Sequence, residues 1–251
     1  VGIDPDDAVG SGHLVALDAA ETLASFTLEG VPSPSDFERV VTALLAQAAA
    51  GGRAVRVFGE MVSLLWDLGE VVAAIELEAM WCDLGERWDF RLLCSYPAAL
   101  VLGPGQSDAV NEVCRLHSRV SGHAGIDAPG RSSVQAFPAT PASVEQVRAL
   151  VTAMLADVED AEAIDDAVLV TSELAANAVR HTASDFLVEA RLDDGALHVA
   201  VVDGHPYQPG SMVAEDESGR GLLLVAAVSR RWGVERLGTG KVVWAEVPVV
   251  R

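Results

Sequence analysis

Leu169-Val-Thr-Ser-Glu-Leu-Ala-Ala-Asn-Ala-Val-Arg-His-Thr182 is the stretch on which the second half of the chain turns. Strong helix formers dominate it, neither Gly nor Pro interrupts it, and apolar residues recur along one side, so it reads as a helix. Glu173, Asn177 and His181 follow one another at one-turn intervals and therefore share a stripe. A carboxylate and an amide one turn apart on a largely apolar helix are either an incidental polar edge or the wall of a site. Two later features favour the wall: Asp203 ends a hydrophobic strand, and Gly219-Arg220-Gly221 opens another helix.

Working outward, the pattern predicts a helix over Ser143–Leu155, with Val144, Val147, Leu150, Val151 and Leu155 inward. Ser143 and Gln146 have the spacing of a capping box. Asp185–Leu192 alternates like a half-buried strand, Asp193-Asp194-Gly195 turns it, and Ala196–Asp203 returns. After Gly204-His205-Pro206 comes an irregular acidic loop over Tyr207–Ser218, then a helix over Leu222–Val228. Trp232–Leu237 and Lys241–Val247 make a last hairpin through Gly238-Thr-Gly240. The order of elements predicts one mixed sheet with its helices on one face.

Chemistry follows from that layout. A carboxylate where an apolar strand stops stands at the rim of a pocket, and Asp203 there accepts a hydrogen bond from an exocyclic amine such as adenine N6. Its plain alternative is a turn carboxylate satisfying local amides. Gly219 and Gly221 let the main chain approach a ligand and present free amides at a helix start, a natural phosphate seat; the alternative is two ordinary turn glycines. Asn177 offers a neutral oxygen to a hard cation already neutralised by phosphate. Glu173 is placed to accept a hydroxyl proton beside a terminal phosphate, or is simple helix-surface polarity. His181 suits a structural or rim hydrogen bond better than catalysis.

The whole chain sets bounds on these readings. Its 251 residues are half apolar and low in aromatics, enough for one large core or two ordinary ones. The formal net charge is -20, and Lys241 is the only lysine. So acidic a surface disfavours general adhesion to nucleic acid or anionic lipid, while leaving room for a local anion site made by backbone amides. Cys82, Cys94 and Cys114 have no paired-ligand spacing and read as reduced, buried and inert thiols of a cytoplasmic protein. No membrane-length apolar run is visible. The chain starts at Val1 instead of Met, which leads us to expect a front domain incomplete at its N-terminus.

In that front half, His13–Asp18 is a strand candidate and Ala20–Leu28 a helix ended by Gly30. Asp36–Ala50 is an amphipathic helix closed by Gly51-Gly52, Arg53–Phe58 a strand, Val62–Leu68 and Val71–Leu84 helices, and Phe90–Ser95 a strand. A helix around Ser107–Val120 follows. Alternation of strands with crossover-length helices predicts an α/β layer on a parallel sheet. Glu60, at a strand–helix junction, reads as a cap or as a water-positioning acid. No GxxxxGK[ST] run exists to hold phosphates for it, which favours the cap. Trp66 and Trp81 read as core residues.

Between Ser121 and Ser143 the composition shifts to Gly, Pro and Ser, with Val134–Phe137 as a candidate edge strand. The expected domains are therefore 1–122, a linker over 123–142, and 143–251.

Gly52-Arg-Ala-Val-Arg-Val-Phe-Gly-Glu-Met-Val-Ser-Leu-Leu-Trp66, with Leu77-Glu78, Trp81 and Leu92-Leu-Cys-Ser-Tyr-Pro97, resembles the MEDS sensory domain, a degenerate relative of the RecA/KaiC-type ATPases. The resemblance implies a truncated RecA-like parallel-sheet domain with a sensory or regulatory role and a small-molecule signal. Ser172-Glu-Leu-Ala-Ala-Asn-Ala-Val-Arg-His181, Asp203 and Gly219-Arg-Gly221 together resemble the GHKL ATP-binding fold, and within it the anti-sigma factor serine kinases of the RsbW/SpoIIAB type. That resemblance implies a Bergerat-type α/β sandwich that binds ATP with Mg. It assigns Glu173 as the base activating a serine of an anti-sigma antagonist and Asn177 as the Mg residue. His181, Asp203, Gly219, Arg220, Gly221 and Lys241 are the further nucleotide-contacting candidates. Three departures weaken the ATP affinity expected without abolishing the site. Asp203-Gly204-His205 replaces the usual Asp-x-Gly, the strand position that commonly offers a Thr hydroxyl falls on Lys241 or Val242, and the loop before Gly219 is short for an ATP lid. Lys241 has the alternatives of stacking on the base or contacting a phosphate.

Two functional expectations follow. The first is an ATP-binding anti-sigma-type regulator with protein serine kinase activity, acting on a sigma factor or anti-sigma antagonist. The second is a non-catalytic binding module with a degenerate nucleotide site that sequesters such a partner. In both the protein is cytoplasmic, touches no nucleic acid or membrane directly, and is open to pairing as a homodimer. A sensor histidine kinase fragment is disfavoured, because no dimerisation helix pair with a phosphoacceptor His precedes the ATP-type half.

Overall fold

The computed structural model describes residues 4–28, 30–117, 120, 131–205, 219–238 and 240–249. Two compact units divide the chain, Val1–Leu100 and Val101–Arg251.

The first unit begins with the short helices α1 (Pro5–Gly10) and α2 (Ala19–Ala24) and a two-residue antiparallel pair, β1 (Thr27–Leu28) with β2 (Val31–Pro32). Helix α3 (Pro34–Ala48) starts on the Ser33 cap and buries Phe37, Val41 and Leu45 at helical spacing. Strand β3 (Val55–Gly59), α4 (Met61–Asp67), α5 (Val71–Gly85) and β4 (Phe90–Cys94) form the parallel crossover that the alternation predicts, with Val55 opposite Phe90 and Gly59 opposite Cys94. The core is aromatic: the Phe37 ring meets Phe26 edge-on at 5.4 Å and Trp81 at 5.1 Å, and Trp66 is 4% exposed. The segment His13–Asp18 is not a strand. It is exposed and joins no ladder among the described residues, and an apolar run becomes a strand only where a neighbour's ladder receives it. Glu60 takes the cap position of α4 without a side-chain cap bond. Cys82 is exposed rather than buried, because it lies on the outer side of α5, next to the buried Trp81.

After α6 (Ala98–Val101), the second unit holds α7 (Ser107–Leu116), β5 (Arg131–Phe137), α8 (Pro141–Met154), α9 (Ala161–His181), β6 (Phe186–Asp193), β7 (Ala196–Asp203), α10 (Gly219–Val228), β8 (Arg231–Leu237) and β9 (Gly240–Pro248). Strand order is β5-β6-β7-β9-β8, and every described pairing is antiparallel, so the sheet expected to be mixed is antiparallel. The β6–β7 turn needs two left-handed residues, and Asp194 and Gly195 supply them at φ 43° and 73°. Strand β5 occupies most of the end of the stretch expected to be a linker and lies at the sheet edge, seven residues long instead of four.

Helix α9 is longer than its sequence core suggests. Asp160 caps it by accepting the Ala163 N–H at 3.0 Å, so the acidic loop supplies its N-terminus. The expected capping box at Ser143 does not form. Helix α8 starts two residues earlier at Pro141, whose fixed φ suits the first turn, and the Ser143 hydroxyl donates to the Pro138 carbonyl at 2.6 Å. Val147, Val151, Val170, Leu174 and Ala178 pack with Phe186, Val188, Leu197, Val199 and Val201 in one core cluster. The helices thus cover the sheet face formed by alternate residues of β6, β7 and β9.

Candidate functional site

The same alternation decides where the polar residues of the sheet go. Asp203 has the parity of Val199 and Val201 on β7, and Lys241 that of Val243 and Ala245 on β9, so both lie on the face that carries α9. They are also register partners. The Lys241 Nζ lies 3.1 Å from Asp203 Oδ1, with the carboxylate side chain 1% and the ammonium side chain 12% exposed. The same Oδ1 accepts the His205 N–H at 2.9 Å. Gly240 permits this closeness: a Cβ there would stand 3.0 Å from the Asp203 carbonyl carbon and from Gly204 Cα.

Along α9 the expected stripe is present. Asn177 is buried, and its Oδ1 accepts a hydrogen bond from Arg180 Nη2 at 2.8 Å. The His181 ring lies 6.0 Å from the His205 ring, tilted by 40°. Burial depresses the His181 pKa below its ordinary value, the positive charges of Lys241 and Arg180 and the His205 ring add to this, and Asp203 opposes them.

Glu173, one turn before Asn177, meets the glycine-opened helix. A Cβ on Gly221 would stand 3.4 Å from the Glu173 carboxyl carbon, with Oε2 closer still, so this glycine is what lets α10 approach the carboxylate. Helix α10 begins at Gly219 and includes Arg220 and Gly221 in its first turn, a little earlier than the expected Leu222. The structure therefore brings Glu173 to Gly221 and Asp203 to Lys241. The expected loop over Tyr207–Ser218 lies outside the described residues.

Residues 137–247 match the family model of the histidine kinase-like ATPase domain, and residues 1–118 match that of MEDS, the methanogen/methylotroph, DcmR sensory domain. The chain is thus similar to MEDS at its front and to the histidine kinase-like ATPase domain at its back. Two solved structures are similar to it. The histidine kinase domain of the blue-light activated histidine kinase from Erythrobacter litoralis EL346 is 15% identical with a TM-score of 0.31, over 98% of this chain and 95% of that one. Acinetobacter baumannii histidine kinase AdeS is 12% identical with a TM-score of 0.31, over 74% and 98%. No protein of curated function matches.

An ATPase domain of this type implies a nucleotide, and the two ends of the site suit one differently. At the end expected to take phosphate, Gly221 brings no side chain against Glu173, and the Asn177 Oδ1, a neutral oxygen of the kind that suits a hard cation, already accepts from Arg180. At the base end, Asp203 already holds Lys241 and the His205 amide, so an exocyclic amine must displace the ammonium to reach Oδ1.

Sequence reasoning missed three polar residues. Arg180 pairs with Asn177, a one-turn spacing that was open to view. Asp185, 4% exposed, accepts the N–H groups of Gly105 at 3.2 Å and Ser107 at 2.7 Å, which no local pattern announces. In the MEDS half, Glu78 is 1% exposed and accepts from the Tyr96 hydroxyl at 2.6 Å and the Cys94 thiol at 3.3 Å. Burial first, and then the Glu78 charge, push the Cys94 pKa well up; burial pushes that of Cys114 up to about 11.

Proposed function

We propose that this protein is an ATP-binding regulator of the anti-sigma type, a serine kinase acting on an anti-sigma antagonist. The observation that carries the reading is the Glu173 carboxylate lying against Gly221, in the first turn of a helix whose leading N–H groups have no intrahelical acceptor and point along the axis toward its N-terminal end. ATP, when bound, would supply the γ-phosphoryl group and leave as ADP. Glu173 would take the proton of the serine hydroxyl that attacks this group, and Asn177, released from Arg180, would hold Mg through the phosphates. Gly219, Arg220 and Gly221 would seat the phosphates, His181 would edge the site, and Asp203 and Lys241 would contact the base. MEDS is the sensory half, receiving a small-molecule signal. The proposed place of action is the cytoplasm; among the described residues no helix is long and apolar enough to cross a membrane.

The test is paired. Calorimetry with ATP and Mg is expected to show binding in the wild type and in Glu173→Gln. Transfer to a candidate antagonist is expected to fall by about 100-fold or more in that variant, the scale of a lost general base. Unchanged transfer in Glu173→Gln removes the assigned base.

One observation favours a second reading, a non-catalytic module that sequesters a sigma factor or antagonist. Lys241 already occupies Oδ1 of Asp203 at the end expected to take the base. In that case ATP does not bind measurably, and Glu173→Gln leaves partner affinity unchanged.

A further inference from the structure

Helix α7 belongs to two descriptions at once. By sequence it is the last helix of the stretch matching MEDS, and by contacts it lies in the unit that carries the ATPase-type sheet. We propose that α7 is the lever through which the site is set, with Asn111 and Asp185 as its positioning residues.

The fastenings are specific. Asn111 Nδ2 donates to the Ala136 carbonyl at 3.0 Å, and Asn111 Oδ1 accepts the Ala136 N–H at 2.8 Å. The side-chain amide thus does for the outer edge of β5 what a residue of a neighbouring strand would do. The second fastening is Asp185. Its two carboxylate oxygens take the N–H groups of Gly105 and Ser107 at the N-terminus of α7, where a negative charge is also favoured by the helix dipole. Loss of either partner leaves a buried polar group unsatisfied, so the two links hold α7 to the sheet and to the corner before β6.

That corner touches the site from two sides. It starts where α9 ends, just past His181, and the Thr182 and Ser184 hydroxyls bond each other at 2.7 Å. Ser184 Oγ lies 2.8 Å from where a Cβ on Gly204 would stand, so the corner presses on the residue after Asp203. Asp185 directly precedes Phe186, which is the register partner of Asp203. A displacement of α7 therefore acts on a buried carboxylate next to Phe186, which pairs across β6–β7 with Asp203, the residue that holds Lys241 on its other side. Packed elements of this kind pass such shifts on instead of absorbing them.

The test uses the full chain and amide hydrogen exchange, which needs no ligand. Asn111→Leu keeps the volume and removes both bonds to Ala136; Asp185→Asn keeps the shape and removes the charge. Arg131→Ala is the control, because Arg131 ties the far end of β5 to the Met154 carbonyl and Asp157 and not to the corner. Both positioning variants are expected to speed exchange by about tenfold in α7, in 182–186 and in 203–205, while the control speeds β5 alone. Faster exchange confined to α7 and β5 overturns the lever and leaves an edge cover. Should Asn111→Leu not fold, Asp185→Asn decides by the same pattern. The ATP arm rests on the proposed nucleotide site and is read separately: a several-fold change of ATP affinity in the two variants but not in Arg131→Ala supports the lever. If the wild type binds no ATP, the nucleotide reading fails while the exchange pattern still decides this one.

Discussion

At the residue scale, two acceptors of the site are already met by the chain's own donors. Asp203 holds Lys241, and Asn177 accepts from Arg180. This has a consequence for His181, whose proton affinity is lowered by burial and then by the Lys241 charge. A histidine with a depressed folded pKa binds fewer protons folded than unfolded. Its contribution to stability is therefore present above the unfolded value of about 6.5 and is lost as pH falls through the folded pKa. An NMR titration of the ring protons should place His181 below an ordinary histidine. Lys241→Met should raise it, because the variant removes a repelling cation and frees the attracting Asp203 carboxylate. A His181 titration unmoved by that change would mean that Lys241 does not face the ring. Gly221 yields a second expectation. On the proposed kinase reading, Gly221→Ala forces the Glu173 carboxylate aside, so phosphotransfer should drop at least about tenfold with folding retained, since the atom that must move ends a flexible side chain. Activity at the wild-type level would show that the carboxylate works from another position.

At the scale of elements, α9 does most of the positioning, and its stability draws on its N-terminal cap and on its buried face. Asp160→Ala should cost about 1 kcal/mol by leaving the first-turn amides without a cap. Leu174→Ala should cost about 2–5 kcal/mol, since Leu174 is 1% exposed among the core residues of the helix–sheet layer. Urea unfolding curves measure both, and a Leu174→Ala cost below that of Asp160→Ala would contradict the packing. How much of this was legible varies with the kind of information. The hairpin of β6 and β7, the last hairpin and the stripe on α9 were readable because period and turn chemistry are local. Strand β5 was only partly so: its edge pairing needs β6, fifty residues later, and its outer edge is met by an Asn on a preceding helix. The apolar run His13–Asp18 shows the reverse error, a strand pattern with no ladder to join. Glu173 and Gly221 could be assigned roles from motif order, while the Lys241–Asp203 contact depended on a register that a sequence does not state.

At the scale of the whole molecule, the surplus of acid decides how the protein answers salt. With 37 acidic against 17 basic residues, a net charge of -20 acts against compactness through self-repulsion. Favourable pairs act the other way, but they are few among the described residues and unequal in reach. Lys241–Asp203 is buried and is screened little, whereas Arg231, whose guanidinium donates to Glu246 at 3.0 and 2.5 Å, is 72% exposed and contributes at most about 1 kcal/mol once screened. The surplus repulsion is thus the larger salt-sensitive quantity. Raising NaCl from about 0.01 M to about 0.15 M shortens the Debye length from about 30 Å to about 8 Å and should raise the melting temperature by several degrees. Most of the gain should come before physiological salt, because further screening then acts over distances shorter than the spacing of exposed charges. KCl should reproduce the effect and sucrose at matched osmolarity should not reproduce its early saturation, which separates charge screening from solute exclusion. A melting temperature that falls with salt would mean that exposed pairs such as Arg231–Glu246 outweigh the acidic surplus, and that the charge is held in compensated clusters instead of spread over the surface.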